Sequence, residues 1–271
     1  MPADLHVHTT ASDGSMSPGQ VVELAANLHL KTIAISDHDT IKGISEALIY
    51  GVQLGVEVIP AIELSSKYSS RDVHILGYFI DYRSKKLIDY LRILREARID
   101  RAQKIVNCLQ KNGLDITFDE VMHIAGDASI GRPHIARALL AKNYVADIGE
   151  AFSKYLKSGT PCFLEKFVYP TEKAIFVVHE AGGLAVFAHP GLAKLDEQIP
   201  EFVKMGLDGI EAYHSEHTPE QTEHYLKVAR EYGLLITGGS DDHGPISTHG
   251  LRLGSVPVPD EIVDRLKEAA A

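Results

Sequence analysis

The sequence predicts an α/β fold, with a parallel sheet, barrel or open, interrupted once by a helical insertion. Three observations predict it. Seven short, apolar, β-branched segments recur along the 271-residue chain. Amphipathic stretches bearing helix-capping signals separate most of them, and strands that alternate with helices build parallel sheets. The alternation stops in one place: from about residue 85 to 159 no segment reads as strand.

The elements follow in order. Asp4–His8 is the first strand, and Ser17-Pro18 is an N-cap with proline in the first helical turn, opening a helix to about Leu28. Thr32–Asp37, Val56–Leu64 and Val73–Ile80 are the next strands. Lys85 to Gly113 reads as a long charged helix ended by glycine, and Thr117-Phe118-Asp119-Glu120 has capping-box spacing. Pro133–Lys142 and Asp147–Leu156 read as further helices. We therefore expect 85–159 to be a helical insertion subdomain, a lid or a substrate-selecting element, within a barrel built from 1–84 and 160–271. The alternation resumes with a helix from Thr171 to Gly182-Gly183, then strands Leu184–His189 and Gly209–Tyr213. A helix from Pro219 to Gly233 precedes the last strand, Leu234–Gly239. Leu251–Pro259 reads as a loop or edge strand, and Asp260 to the end as a final helix.

Composition narrows the function. No apolar run approaches the roughly 20 residues that span a bilayer, and no basic leader opens the chain, so no membrane partner and a cytoplasmic location are expected. Cys108 and Cys162 form no close-spaced pair and read as reduced thiols. A net charge of -10 argues against an extended nucleic-acid surface. It leaves room for a phosphorylated small molecule or short nucleotide, because bound cations invert the charge inside a site. The sequence sets no oligomeric state.

Fourteen histidines are present, and many stand where the apolar strands end. His6 and His8 share one face of a strand, because side chains alternate. The second strand runs into Asp37-His38-Asp39, the third delivers Glu63, and His74 flanks the fourth. Later strands run into His189-Pro190-Gly191, into His214 and His217, and into Ser240-Asp241-Asp242-His243. Barrel active sites form at the C-terminal strand ends, so these groups would gather on one rim. Polar groups this dense beside a core are costly unless paired or metal-bound. Imidazole and carboxylate together suit divalent Mn, Fe or Zn. Asp4 and Asp37 are expected to orient ligand histidines, and Asp39 to cap the next helix. His29, His123, His179, His224 and His249 are expected in solvent.

These residues resemble a known family. Asp4-Leu5-His6-Val7-His8-Thr9, Ser12-Asp13-Gly14, Ser36-Asp37-His38-Asp39-Thr40, Glu63, Ala188-His189-Pro190-Gly191 and Ser240-Asp241-Asp242-His243-Gly244 are similar to the motifs of the PHP (polymerase and histidinol phosphatase) superfamily. Gly131-Arg132-Pro133-His134 through Leu139 resembles its stand-alone phosphoesterase branch, which includes nucleotide 3′,5′-bisphosphate phosphatases and a 5′-3′ exoribonuclease. The resemblance implies a distorted seven-stranded (β/α) barrel with two or three divalent ions. It implies that His6, His8, Glu63 and Asp241 hold one ion, that Glu63 bridges to a second held by His74 and His189, and that Asp13, His38 and His243 hold a third. Relatives often carry histidine where Asp13 stands and an aromatic residue where Asp242 stands.

The implied reaction is hydrolysis of a phosphate monoester by a metal-bridging hydroxide, on a nucleotide-type substrate such as a 3′,5′-bisphosphate. Arg132 and His134 are expected to grip the phosphate from the insertion, and His217 to contact phosphate or protonate the leaving oxygen. The competing readings are a 5′-3′ exonuclease on short RNA or DNA ends, a histidinol-phosphate-type phosphatase, an amidohydrolase and a non-catalytic metal-binding module.

Overall fold

The computed structural model describes residues 3–126, 128–247 and 249–271. The chain divides into two compact units, one reaching to Tyr90 and resuming at Val168, the other Leu91–Phe167.

In chain order the first unit opens with β1 (Ala3–Val7), α1 (Pro18–Asn27), β2 (Thr32–Ile35), α2 (Ile44–Leu54), β3 (Glu57–Tyr68) and β4 (Arg71–Tyr78). Ser17 and Gln20 close a reciprocal capping box at the start of α1. Helix α3 (Lys85–Lys111) begins in this unit and continues in the other. There it is followed by α4 (Phe118–Ala125), α5 (Arg132–Ala141) and α6 (Ile148–Ala151), which runs on as a π-helical turn over Phe152–Leu156. The capping box expected at Thr117 is present, with Glu120 as its partner. The first unit then resumes with β5 (Tyr169–Pro170), α7 (Thr171–Glu180), β6 (Leu184–Phe187), α8 (Pro190–Ala193), α9 (Ile199–Lys204), β7 (Gly209–His214), α10 (Pro219–Tyr232), β8 (Leu235–Gly239) and α11 (Asp260–Ala270).

Seven strands form one path, β1-β2-β3-β4-β6-β7-β8, and the two-residue β5 pairs with β3 off it. The path is nearly closed: the Asp241 amide donates to the His6 carbonyl at 2.9 Å, and the His8 amide to the Asp242 carbonyl at 2.9 Å. The sheet is not wholly parallel as expected, because β4 runs antiparallel to both β3 and β6. The reason is local. Tyr68 pairs with Arg71 across only Ser69 and Ser70, and so short a link permits only a hairpin. Since β4 runs backwards, its beginning lies at the rim where the parallel strands end, and that is where His74 stands.

Apolar clusters pack on the sheet. Leu5, Ile59, Ala61 and Leu76 meet Val258, Ile262 and Leu266 of the C-terminal segment, while Val21, Val22 and Ala47 of α1 and α2 cover Ile33 and Ile35. The second unit has its own core, in which Ile105, Leu109, Val121, Ile135, Leu139 and Leu156 are buried together. Cys108 and Cys162 are joined there as a disulfide, against the reduced pair expected. A separation of 54 residues carries no pairing signal, and only the helical packing brings the two together. No helix among the described residues is long and apolar enough to cross a membrane.

Candidate metal centre

Glu63 is the hub of the site. It lies on β3 and is fully buried, as are His6 and His8. One of its oxygens, Oε2, sits 3.3 Å from His6 Nε2, 3.2 Å from His8 Nε2 and 2.9 Å from His38 Nδ1. The other, Oε1, sits 2.7 Å from His74 Nδ1 and 3.0 Å from His189 Nε2. Asp241 Oδ1 approaches His8 Nε2 at 3.0 Å and His6 Nε2 at 3.4 Å, and Asp13 Oδ1 lies 3.4 Å from His243 Nε2. All nine residues expected as ligands are therefore brought together. The donor atoms of eight of them fall into groups no more than 4.8 Å across: His6, His8, Glu63 and Asp241; His8, Asp13, His38 and His243; His38, Glu63 and His74. His189 joins them through Glu63.

Electrostatics and hydrogen bonding both fit divalent cations. Among the described residues, His6 Nε2, His8 Nε2, His38 Nδ1 and Glu63 Oε2 are buried without a hydrogen-bond partner, yet they face one another. Leaving such groups unsatisfied costs about 1–3 kcal/mol each, which coordination to a shared cation removes. Burial alone would push Glu63 up, but His38, His74 and His6 hold it well below the usual carboxylate range. Burial opposes a charge on His8, yet the Asp241 and Glu63 carboxylates beside it outweigh that and push its pKa up to about 10. The backbone is strained at three of these positions. Asp39, His189 and Asp241 hold φ of 52°, 30° and 53°. Such left-handed conformations cost of order 1–3 kcal/mol and cluster at functional sites.

The surrounding acids do other work than expected. Asp37 does not meet His38 but accepts from the Thr9 amide at 2.8 Å, the Thr9 hydroxyl at 2.7 Å and the Ser12 hydroxyl at 2.6 Å, pinning the loop that carries Asp13. Asp4 accepts amides rather than an imidazole, from Ser240 at 2.9 Å and Gly254 at 2.8 Å. Asp39 caps no helix; it accepts the Ser65 amide at 2.8 Å, tying its loop to β3. Asp242 accepts the Arg252 amide at 2.7 Å and the Gly244 amide at 3.1 Å, shaping the turn around His243.

Sequence reasoning placed His214 at a strand end but assigned no role to it or to Glu211. Glu211, buried on β7, accepts from His6 Nδ1 at 2.9 Å and from the His189 amide at 2.7 Å, so one carboxylate orients two candidate ligand positions. The available signal was an acid in the middle of an apolar strand. His214 Nδ1 accepts the Glu216 amide at 3.1 Å, which turns Nε2 toward Asp241 Oδ2, 3.6 Å away.

The expected phosphate-binding residues make contacts of their own. His217 Nε2 accepts the Gly191 amide at 3.2 Å while Nδ1 donates to the Ala212 carbonyl at 3.0 Å. Only the neutral Nδ1–H tautomer satisfies both bonds. Burial pushes the pKa of His217 down, which keeps it neutral. In the second unit, Arg132 donates to the Leu156 carbonyl at 3.0 Å and lies over the rings of Phe152 and Phe163. His134 is buried in the same unit, and its Nδ1 accepts the Gly131 amide at 3.1 Å. His29, His123, His179, His224 and His249 are exposed, as expected.

Comparison with known proteins agrees with this geometry. A family model for the PHP domain matches residues 4–162. A 5′-3′ exoribonuclease of Haemophilus influenzae is 34% identical over 247 residues, spanning 89% of this chain and 90% of that protein. A 3′,5′-nucleoside bisphosphate phosphatase of Chromobacterium violaceum is 32% identical over 248 residues, spanning 89% and 87%. A solved structure from Bifidobacterium adolescentis, designated a metal-dependent phosphoesterase, superposes with a TM-score of 0.90 at 32% identity, covering 98% of this chain and 96% of that one.

Proposed function

This chain belongs to the PHP-domain family and is a metal-dependent phosphoesterase, and we propose that it removes a phosphate monoester from a nucleotide-type substrate such as a 3′,5′-bisphosphate. The observation that carries the reading is Glu63. A single buried carboxylate presents one oxygen to His6, His8 and His38 and the other to His74 and His189, so it could serve as a ligand on both sides of the cluster.

In this proposal His6, His8, Glu63 and Asp241 hold one ion, Glu63, His74 and His189 a second, and Asp13, His38 and His243 a third. The imidazole–carboxylate mixture fits Mn, Fe or Zn. Ions bound there would supply Lewis acidity to the ester and to water and would offset the charge that builds on the phosphoryl oxygens. The protein's part is positional. Glu211 holds the Nδ1 proton of His6, so Nε2 is left to face the centre. His217 grips the Gly191 amide and so fixes the turn that follows His189. A proton for the leaving oxygen would have to displace that amide from His217 Nε2, so we assign His217 to positioning rather than to acid catalysis. Arg132 and His134 stay in the proposal as phosphate-binding residues on the family resemblance of their motif alone. The proposal keeps the cytoplasmic setting expected from the sequence.

A second reading, trimming of short RNA from its 5′ end, has support from the exoribonuclease relative. A screen of metal-loaded protein tests both. Release of phosphate from a nucleoside 3′,5′-bisphosphate in preference to nucleotides from a 5′-phosphorylated oligoribonucleotide supports the first, and the reverse preference the second. Turnover of neither, with ions bound, contradicts both.

A further inference from the structure

A cavity of about 680 Å³ opens on the same rim as the metal centre, and the reaction described above makes no use of it. Its walls come from the β3–β4 hairpin tip (Tyr68, Arg71), the segment after β6 (Gly191, Lys194) and the start of α10 (Gln221, Tyr225). Two routes tie it to the centre. Gly191 stands two residues past His189, and Arg71 three before His74, about 10 Å along the strand. A run of rings also connects them. Centroids are 5.5 Å apart from His189 to His214, 5.2 Å from His214 to His217 and 5.2 Å from His217 to Tyr225.

The charges around the cavity are unevenly satisfied. Arg71 donates to the Lys194 carbonyl at 2.7 Å, which brings the two cationic residues together. Among the described residues no carboxylate pairs with either cation. The acids are better matched. Asp196 is taken by His224 at 3.2 Å and by the Tyr225 hydroxyl at 3.0 Å. Glu220 is held by its own amide and by Thr218 at the start of α10, and Glu197 is the remaining acid.

We propose that this cavity is the subsite for a second phosphate and its nucleoside, with Arg71 and Lys194 taking the phosphate and the half-buried Tyr68 and Gln221 lining the space for the nucleoside. Arginine offers a planar fork to phosphate and lysine a point charge, and aromatic walls suit bases of any identity. The inference rests on the phosphoesterase reading above. The same chemistry comes from two sources, a nucleoside bisphosphate or the second nucleotide of a short RNA.

The test measures kcat/KM of metal-loaded wild type, Arg71→Ala and Lys194→Ala on AMP, adenosine 3′,5′-bisphosphate and a 5′-phosphorylated trinucleotide. Both side chains are exposed, and a melting temperature equal to that of wild type checks the fold of each variant. Wild type is expected to prefer a substrate with a second phosphate over AMP. Each variant is expected to cut that preference about ten- to a hundredfold, mostly through KM, as loss of a charged hydrogen bond does. The substrate whose preference collapses identifies the source. No preference in wild type, or a ratio unchanged in both variants, overturns the subsite. Release of neither phosphate nor nucleotides from any of the three by wild type overturns the phosphoesterase reading itself, and the subsite with it.

Discussion

At the scale of single residues, the site is built by carboxylates that each serve two masters. Glu63 faces two sets of imidazoles, and Glu211 holds the ring of His6 and the backbone of His189. Glutamine at 211 has only one acceptor for two donors, so Glu211→Gln is expected to weaken metal binding about 10- to 100-fold, read by competition with a chelator. Unchanged affinity would remove Glu211 from the site. Protons compete with ions for the same nitrogens. His6, His8, His189 and His243 are all raised above their ordinary value against the opposing effect of burial. Metal binding should therefore release protons and tighten as pH rises, which calorimetry in buffers of different ionisation enthalpy measures. In the ion-free protein His8 is charged up to about 10 when folded and only to 6.5 when unfolded. Its contribution to stability is complete below pH 6.5 and is lost as pH climbs through about 10. The candidate ligands were legible because apolar strands have no structural reason to end in histidine and acid. Glu211 was not, since a lone acid within Ile210–Tyr213 looks the same whether it faces solvent or a site. The tie between Asp37 and Thr9 spans 28 residues, a separation at which spacing carries no information.

At the scale of elements, closure of the barrel and construction of the site are one event. β8 passes so near β1 that a Cβ on Gly239 would run into the backbone nitrogen and Cβ of His6. Gly239→Ala is expected to cost about 1–3 kcal/mol, a Tm loss of roughly 2–12 °C, and to weaken metal binding with it. A variant with wild-type Tm would show that β1 and β8 are less tightly apposed than this. Most strand positions could be read from their apolar patterns, and helices from the caps at Ser17 and Thr117 and from the opening proline at Pro219. The reversal of β4 could not, although Tyr68-Ser69-Ser70-Arg71 contained the reason for it: a two-residue link cannot cross over. That reversal is what brings His74 to the metal rim.

At the scale of the whole molecule, the chain carries a metal-binding barrel and a helical unit with a separate core and a disulfide. The bridge closes a 54-residue separation, so its loss in Cys108→Ser/Cys162→Ser is expected to destabilise the helical unit by roughly 2–4 kcal/mol. A lower denaturant midpoint and faster proteolysis within 91–167 would show it, whereas two titratable thiols in native protein purified without reductant would contradict the bridge. The sequence alone pointed to reduced thiols because a cytoplasmic setting was expected and the cysteines lie far apart in the chain. The central claim is that the Glu63 cluster holds ions and uses them to cleave phosphate monoesters. Its most direct test is phosphate release from adenosine 3′,5′-bisphosphate by wild-type protein stripped of metal and then reloaded with Mn, Fe or Zn. The account predicts no release after stripping and recovery on reloading, with both recovery and bound metal lost in Glu63→Gln. Equal phosphate release by the stripped and reloaded proteins, or full activity in Glu63→Gln, would contradict it.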